Sequence, residues 1–492
     1  MERLSFDHLG PHARAWNLAM AASPGPLDLE IPAAAIDGAI PGPLRGGRLL
    51  SNGPGWTVIG GRVAHPFDGH GYVRAFEFRE DGGVRLRARF VGTRVYRDEA
   101  AAGRILYRGL ATNVEGGRRR NLGLRSGAPR NVANTTITRW GDRLIAGWEG
   151  GTPHALDAES LETLGEETFG GLIAGQATLA HMRKDAARGR LVLCSSAGAR
   201  NPRLTFRELD VDGALVASRS VTIPGSLFIH DFVITPNWYV ISGNPMRLKL
   251  GALAQMLSGG GTLLDAVAAD EARPGVLHLI PRSGVGPART VRLPDHAFVV
   301  HFGGAFERDG AVIVDACAFR SYTFGEEFGY RGPNAPFDPA LPDARAPQRL
   351  YRVTIPAGAE VATWAQLVPH GVDFPRVHPD GDGCEVDLLF GACRADPRHS
   401  DPFDTILRVD LRDPERPPQL WTAPPDLFVG EPIFAPDPAR GDAGHVLAIL
   451  SDGLGGASTL AIFDAAALDA GPIARVRTPL LPIAFHGDWD PR

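Results

Sequence analysis

Four of the chain's fifteen histidines stand in settings that suit metal chemistry. His181 opens "HMRKD" directly after the small, apolar "GQATLA". His230 interrupts "FIHDFVITPNWYVI", whose aromatic and β-branched residues favour a pleated, half-buried strand. His301 sits in "FVVHFGGAFERDGAVIVD", an apolar strand that passes through the ring and on into a hairpin turn. His486 sits in "LLPIAFHGDW", close to the chain end, where a strand frays unless something holds it. A buried polar group without a partner costs about 1–3 kcal/mol. Each ring therefore needs an acceptor such as a backbone carbonyl, or a metal. Neutral imidazoles suit Fe, Zn, Cu or Ni, whereas a structural zinc site usually contains cysteine. Intervals of 49, 71 and 185 residues are too long for a local metal loop. They suit side chains that converge from separate elements, and they do not choose the metal.

The elements that would position these residues read as β-structure. Short runs such as "WTVIGGRVA", "VRLRARFVGTRVY", "TILRVDLR" and "HVLAILSDG" alternate with turn signals such as "WGDR" and "ERDG". Sixty glycines and forty-one prolines are spread over the whole length rather than gathered in a linker. The clearest segment of helical period is 249–259. So many strands over 492 residues exceed a single sandwich. A closed propeller removes their edges by radial repetition, and about six to eight four-stranded blades fit the length. Segments 245–275 and 322–350 do not read as strands and are expected as insertions on one face.

Composition narrows the class. The chain is 44% hydrophobic and 22% charged, with net charge −5. Its mean hydropathy is −0.08 and its pI about 6.3. No basic footprint for nucleic acid is present, and "RRR" at 118–120 reads as a solvated loop. Cys194, Cys317, Cys384 and Cys393 are too sparse for a disulfide framework and fit a reducing cytoplasm. The N-terminus lacks a signal-type apolar core, and "LKLGALAQMLSGGGTLLDAVAA" is too broken by glycine and charge to span a bilayer.

Around the four histidines the sequence resembles the carotenoid cleavage oxygenases. That family includes apocarotenoid and stilbene dioxygenases and the retinal-pigment-epithelium isomerohydrolase. Ten motifs carry the resemblance in order: "LLSNGPGW", "HPFDGHGYVRAFEF", "NVANTTITRWGDRLIAGWEGG", "AHMRKD", "FIHDFVITPNW", "IPRSG", "VHFGGAFERDG", "VDFPRVHP", "GEPIFAPDP" and "IAFHGDW". The resemblance implies one domain over 1–492, an all-β, seven-bladed propeller with a helical and loop cap on the active-site face. It also implies one Fe(II) per chain, bound by His181, His230, His301 and His486.

Three family glutamates accept the second ring N–H of three of these histidines and so fix the imidazole tautomer. Two map onto Glu149 and Glu431, and the third falls on Asp373. Aspartate reaches about 1.5 Å less far, one C–C bond. Either the backbone comes closer there or a water bridges. Thr135 falls where family members place a small side chain beside a vacant iron position. Two departures, Gly304 for the family's asparagine and His70 for the second aspartate of "FDGDG", read as altered pocket or loop detail.

The activity implied is cleavage of a conjugated C=C bond with O2 as co-substrate, giving two carbonyl products. Stilbene-cleaving relatives carry a lysine where this chain has Trp148, which favours an apocarotenoid-like polyene. Tyr96 remains a candidate for holding a phenol in the stilbene reading, and a non-oxidative isomerohydrolase is a further alternative. A metal-free propeller serving as a binding scaffold is the competing class. Polyenes reside in membranes, so weak peripheral contact is expected through 250–257, without a polybasic flank.

Overall fold

The computed structural model describes residues 5–123, 130–198, 201–225, 227–332, 335–339, 348–398, 402–439 and 443–492. Its strands form seven antiparallel sheets of at least four strands each, arranged as the blades of a propeller. From the rim inward, blade 1 is Leu27–Ile31, Val84–Phe90, His70–Phe78, Arg48–Asn52 and His486–Asp490. A C-terminal strand therefore completes a sheet begun by the N-terminal region, with Asn52 opposite His486 and Arg48 opposite Asp490. This closure leaves no open edge between the first blade and the last. It also holds His486, whose strand is buried throughout.

The innermost strands of blades 2 to 7 are Thr136–Trp140, Arg183–Asp185, Phe232–Ile234, Phe298–Arg308, Val372–Arg376 and Ile433–Pro436. Burial falls from axis to rim. Phe232–Ile234 is buried at every residue, so a run of apolar residues without alternation suits it. In blade 7, Ala474–Pro479 alternates buried Ala474, Val476 and Thr478 with exposed Arg475 and Arg477. That is the period-2 pattern of a strand with one wet face. The core lies between blades rather than within one. Val240 and Leu279 of blade 4 pack on Val314 and Val353 of blade 5, and Leu49 and Phe76 of blade 1 on Leu447 and Leu460 of blade 7.

Helices and small sheets cover the face from which the axis is reached. The helix Leu250–Leu257 falls inside the expected 249–259, and Asn244–Leu248 and Val267–Ala269 pair beside it. The expected insertion 322–350 ends earlier than its sequence suggests. Arg349–Ile355 is a strand of blade 5, because Leu350 is fully buried between blades. Residues 333–334 and 340–347 of that insertion lie outside the described residues. The helix Leu250–Leu257 is open, with Leu250 76% exposed and Met256 the buried member. A basic flank does stand beside it, contrary to expectation. The turn at Arg118–Asn121 is adjacent, and the Gly123 N–H donates to the Leu257 carbonyl at 2.9 Å. Well over a hundred residues separate the two segments in sequence, so the flank is not visible there.

Candidate metal centre

Every blade delivers one residue of interest to the axis, at or just before its innermost strand. In blade order these are His486, Thr135, His181, His230, His301, Asp373 and Glu431. The seven-fold architecture thus turns long sequence intervals into one cluster. Glu149 joins from the loop after Arg143–Gly147 in blade 2.

The four histidines meet. One ligand atom from each lies within 4.8 Å of all the others, and the Nε2 atoms of His181 and His230 are 3.3 Å apart. Most ring pairs stand nearly perpendicular, with centroids 4.4 Å apart for His181 and His486 and 5.0 Å for His230 and His301. All four are buried. Three are backed by carboxylates. The Nδ1–H of His230 donates to Glu149 Oε1 at 2.8 Å, that of His301 to Asp373 Oδ1 at 2.6 Å, and that of His486 to Glu431 Oε1 at 3.0 Å. A carboxylate can only accept, so these bonds place the proton on Nδ1 and leave the Nε2 lone pair facing the shared space.

Asp373 reaches His301 directly, so no water bridge is needed. The backbone is irregular at this point. The register shifts between Asp373 and Arg376, and Phe374 has φ 51° although it precedes a proline, which favours extended backbone. Gly487 serves the closing strand. Its N–H donates to Glu431 Oε2 at 2.6 Å, and a Cβ there would lie 2.5 Å from the Leu50 carbonyl oxygen.

Burial and the closeness of the rings set the electrostatics of the cluster. Burial, followed by the three sister rings, holds His181 well below the ordinary histidine range. Burial and the rings of His301 and His230 do the same to His486. Burial also pushes His230 down, but the charge and hydrogen bond of Glu149 outweigh it, and the net shift is upward. Burial raises Glu431 to about 7. A cation at the shared point would favour neutral rings and ionised carboxylates together. The residues fit one. His301 Nε2 is buried with no hydrogen-bond partner, as a lone pair reserved for a metal would be.

Above the cluster lies a cavity lined by His230, His301 and His486 and chiefly by aromatic side chains. Its apolar walls around a few polar groups are those of a small-molecule site. Thr135, Trp148, Glu149 and Asp373 also line it. Tyr96 does not. It stacks on Phe90 at 4.9 Å and meets His70 edge-on at 5.3 Å. His70 is fully buried and bonded to Glu99 at 2.9 Å, so it belongs to an internal ion cluster rather than to the pocket. Gly304 likewise does not line the cavity, and a Cβ there would meet only Val377 methyls at 3.8–3.9 Å. Sequence reasoning missed the aromatic walls formed by Phe228, Phe374 and Phe485. Each lies within two residues of His230, Asp373 or His486, and that adjacency was the available signal.

A propeller whose axis carries four convergent imidazoles, three of them backed by carboxylates, beneath an aromatic cavity defines an all-histidine metal-centre architecture. The chain belongs to the retinal pigment epithelial membrane protein family, whose sequence model matches residues 23–491. It is 35% identical over 469 residues to the apocarotenoid-15,15'-oxygenase of Synechocystis, covering 92% of each chain. It is 27% identical to lignostilbene-alpha,beta-dioxygenase isozyme III of Sphingomonas paucimobilis, covering 86% of each. The crystal structure of the cobalt-substituted Synechocystis apocarotenoid oxygenase superposes with a TM-score of 0.88 at 32% identity, covering 97% of this chain and 98% of that one.

Proposed function

We propose that this chain is a non-haem Fe(II) dioxygenase that cleaves a conjugated C=C bond of an apolar, apocarotenoid-like polyene with O2, giving two carbonyl products. The observation that carries the reading is the convergence of four imidazole ligand atoms within 4.8 Å at the floor of an aromatic cavity. His181, His230, His301 and His486 would hold the iron, and Glu149, Asp373 and Glu431 would fix the orientation of three rings. Ferrous iron held by four neutral donors supplies the Lewis-acid and one-electron chemistry through which O2 reacts with a closed-shell alkene.

The rest of the work falls to the chain's own residues. The walls at Phe228, Phe374 and Phe485 exclude water and hold a flat, conjugated chain by its faces. Position along the cavity selects which double bond lies over the histidines. Glu149 and Asp373 each already accept an imidazole N–H, so neither is free to move a proton. Acid–base catalysis is not required for this cleavage. Thr135 presents its side chain to the cavity, and its hydroxyl donates to Asn134 Oδ1 at 3.1 Å, which restricts the space beside the cluster.

Trp148 and the placement of Tyr96 favour the polyene over a stilbene. Among the described residues no lysine lines the cavity to activate a phenol. Access from a bilayer is supported by the exposed Leu122 and Leu257 near Arg118–Asn121, with Leu248 and Leu250 exposed at the other end of the helix, a surface that would dock against an anionic membrane. No helix among the described residues is long and apolar enough to cross a membrane.

The test is the metal content of anaerobically purified protein beside His230→Ala, followed by turnover of an apocarotenoid under 18O2. About one iron per chain, lost in the variant, and label in both carbonyl products are expected. Absence of iron after reconstitution would sink the dioxygenase reading. Products without label would replace it with isomerohydrolase chemistry.

A further inference from the structure

His181 differs from its three sisters. The carboxylate within 4 Å of its Nδ1 is Asp231, and Oδ1 stands 3.9 Å away, too far for a hydrogen bond. Asp231 is otherwise fully engaged, and its side chain is 1% exposed. Arg183 Nη2 donates to both its oxygens, at 2.7 and 2.6 Å. Oδ1 also accepts the Phe232 N–H at 2.7 Å, and Oδ2 the Phe302 N–H at 3.0 Å. Arg183 extends the bracket, since its Nε–H donates to the Phe232 carbonyl at 2.6 Å and its Nη1 approaches Asp382 Oδ1 at 3.4 Å.

The residues in this bracket are not scattered. Arg183 lies two residues after His181, Asp231 one after His230, and Phe302 one after His301. One carboxylate–guanidinium pair therefore clamps three neighbouring inner strands immediately next to their histidines. Among the described residues the inner strands of these three blades share no ladder hydrogen bonds with one another. Their relative height along the axis then depends on side-chain bonds, and this pair spans all three.

Resting on the metal-centre reading, the geometry points to Asp231, with Arg183, as the positioning pair that fixes the axial register of His181, His230 and His301. It sets the height of the strand that carries His181, whereas Glu149, Asp373 and Glu431 orient the other three rings directly. Asp231 acts through the histidines and touches neither metal nor substrate. A ligand displaced by even 1 Å weakens a preorganised site severely.

The test uses cobalt(II) titration of the metal-free full chain, read by the visible ligand-field spectrum and by chelator competition. Asp231→Asn keeps the shape but removes the charge that holds the guanidinium. It is expected to weaken cobalt binding about 10–100-fold and to shift the ligand-field bands. Asp231→Glu should not rescue binding, because the extra methylene displaces the bracket. Asp315→Asn breaks a comparable buried pair with Arg352, at 2.8 Å on a strand that carries no histidine. It should lower thermal stability while leaving cobalt affinity and bands unchanged. If Asp231→Asn fails to fold, Arg183→Gln serves as the second variant with the same expected loss. A folded variant of either residue with wild-type affinity and spectrum overturns the inference. Wild-type protein that binds no cobalt would instead refute the metal centre itself.

Discussion

Asp373→Glu restores the residue that the family resemblance leads one to expect, and the structure predicts that it damages the site. The Asp373 carboxylate is buried and already spends Oδ1 on two donors, His301 Nδ1–H at 2.6 Å and Phe374 N–H at 2.9 Å. A glutamate adds about 1.5 Å of reach where no gap remains. The longer side chain must fold off its rotamer, costing about 0.5–1.5 kcal/mol, or push His301 aside, at about 1–3 kcal/mol for overpacking. Either route, at roughly 0.5–3 kcal/mol, corresponds to metal affinity about 2–150-fold weaker. Asp373→Ala should lose a similar amount by a different route, because it deletes a charge-assisted bond of about 1.5–3 kcal/mol. The assay is anaerobic chelator competition for Fe(II) or Co(II), with the melting temperature of the metal-free protein measured alongside. Glutamate binding metal as tightly as aspartate would refute the argument that the backbone at Phe374 is shaped around the shorter residue.

Acid should destabilise the fold in a defined window. Burial pushes His65, His70, His154 and His278 to about 4, so they stay neutral in the folded state while the unfolded chain protonates near 6.5. Their stability contribution is complete above pH 6.5 and is lost as pH falls toward 4, about 3 kcal/mol each at most. A melting temperature flat across that range would contradict this. Glu99→Gln leaves buried Arg130 and His70 short of their shared carboxylate and should cost about 3–5 kcal/mol by chemical denaturation. Phe485→Ala should lower stability by about 3 kcal/mol and spread cleavage over more than one double bond, read by product chromatography. Leu250→Glu should reduce sedimentation with anionic vesicles while turnover of detergent-dispersed substrate stays within about twofold, since surface changes away from the site are nearly neutral.

Much of the centre was legible because its residues are chemically costly where they stand. A histidine in an apolar strand demands an explanation, and four of them at long intervals demand a common one. The blade count was not legible from periodicity, since no strict repeat marks the blades. The closing strand was hidden too, because Arg48–Asn52 and His486–Asp490 lie at opposite ends of the chain. Which carboxylate backs which ring also escaped the sequence. Glu149 of blade 2 reaches past blade 3 to His230 of blade 4, a pairing that depends on loop shape. Asp231 follows His230 directly and drew no reading from the sequence, because its role depends on the spatial meeting of Arg183 and Phe302. The basic turn beside Leu250–Leu257 escaped for the same reason.

The closing strand also orders events in time. His181, His230 and His301 leave the ribosome well before His486, which follows the third histidine by 185 residues. At about 5–20 residues per second, that delay is on the order of ten to forty seconds. During it the nascent chain holds three imidazoles but no completed sheet to bring the fourth beside them. The same strand that ends the sheet-edge hazard also completes the donor set. The fourth imidazole therefore reaches the other three only once the ring has shut, so the cluster is among the last features of the fold to be completed.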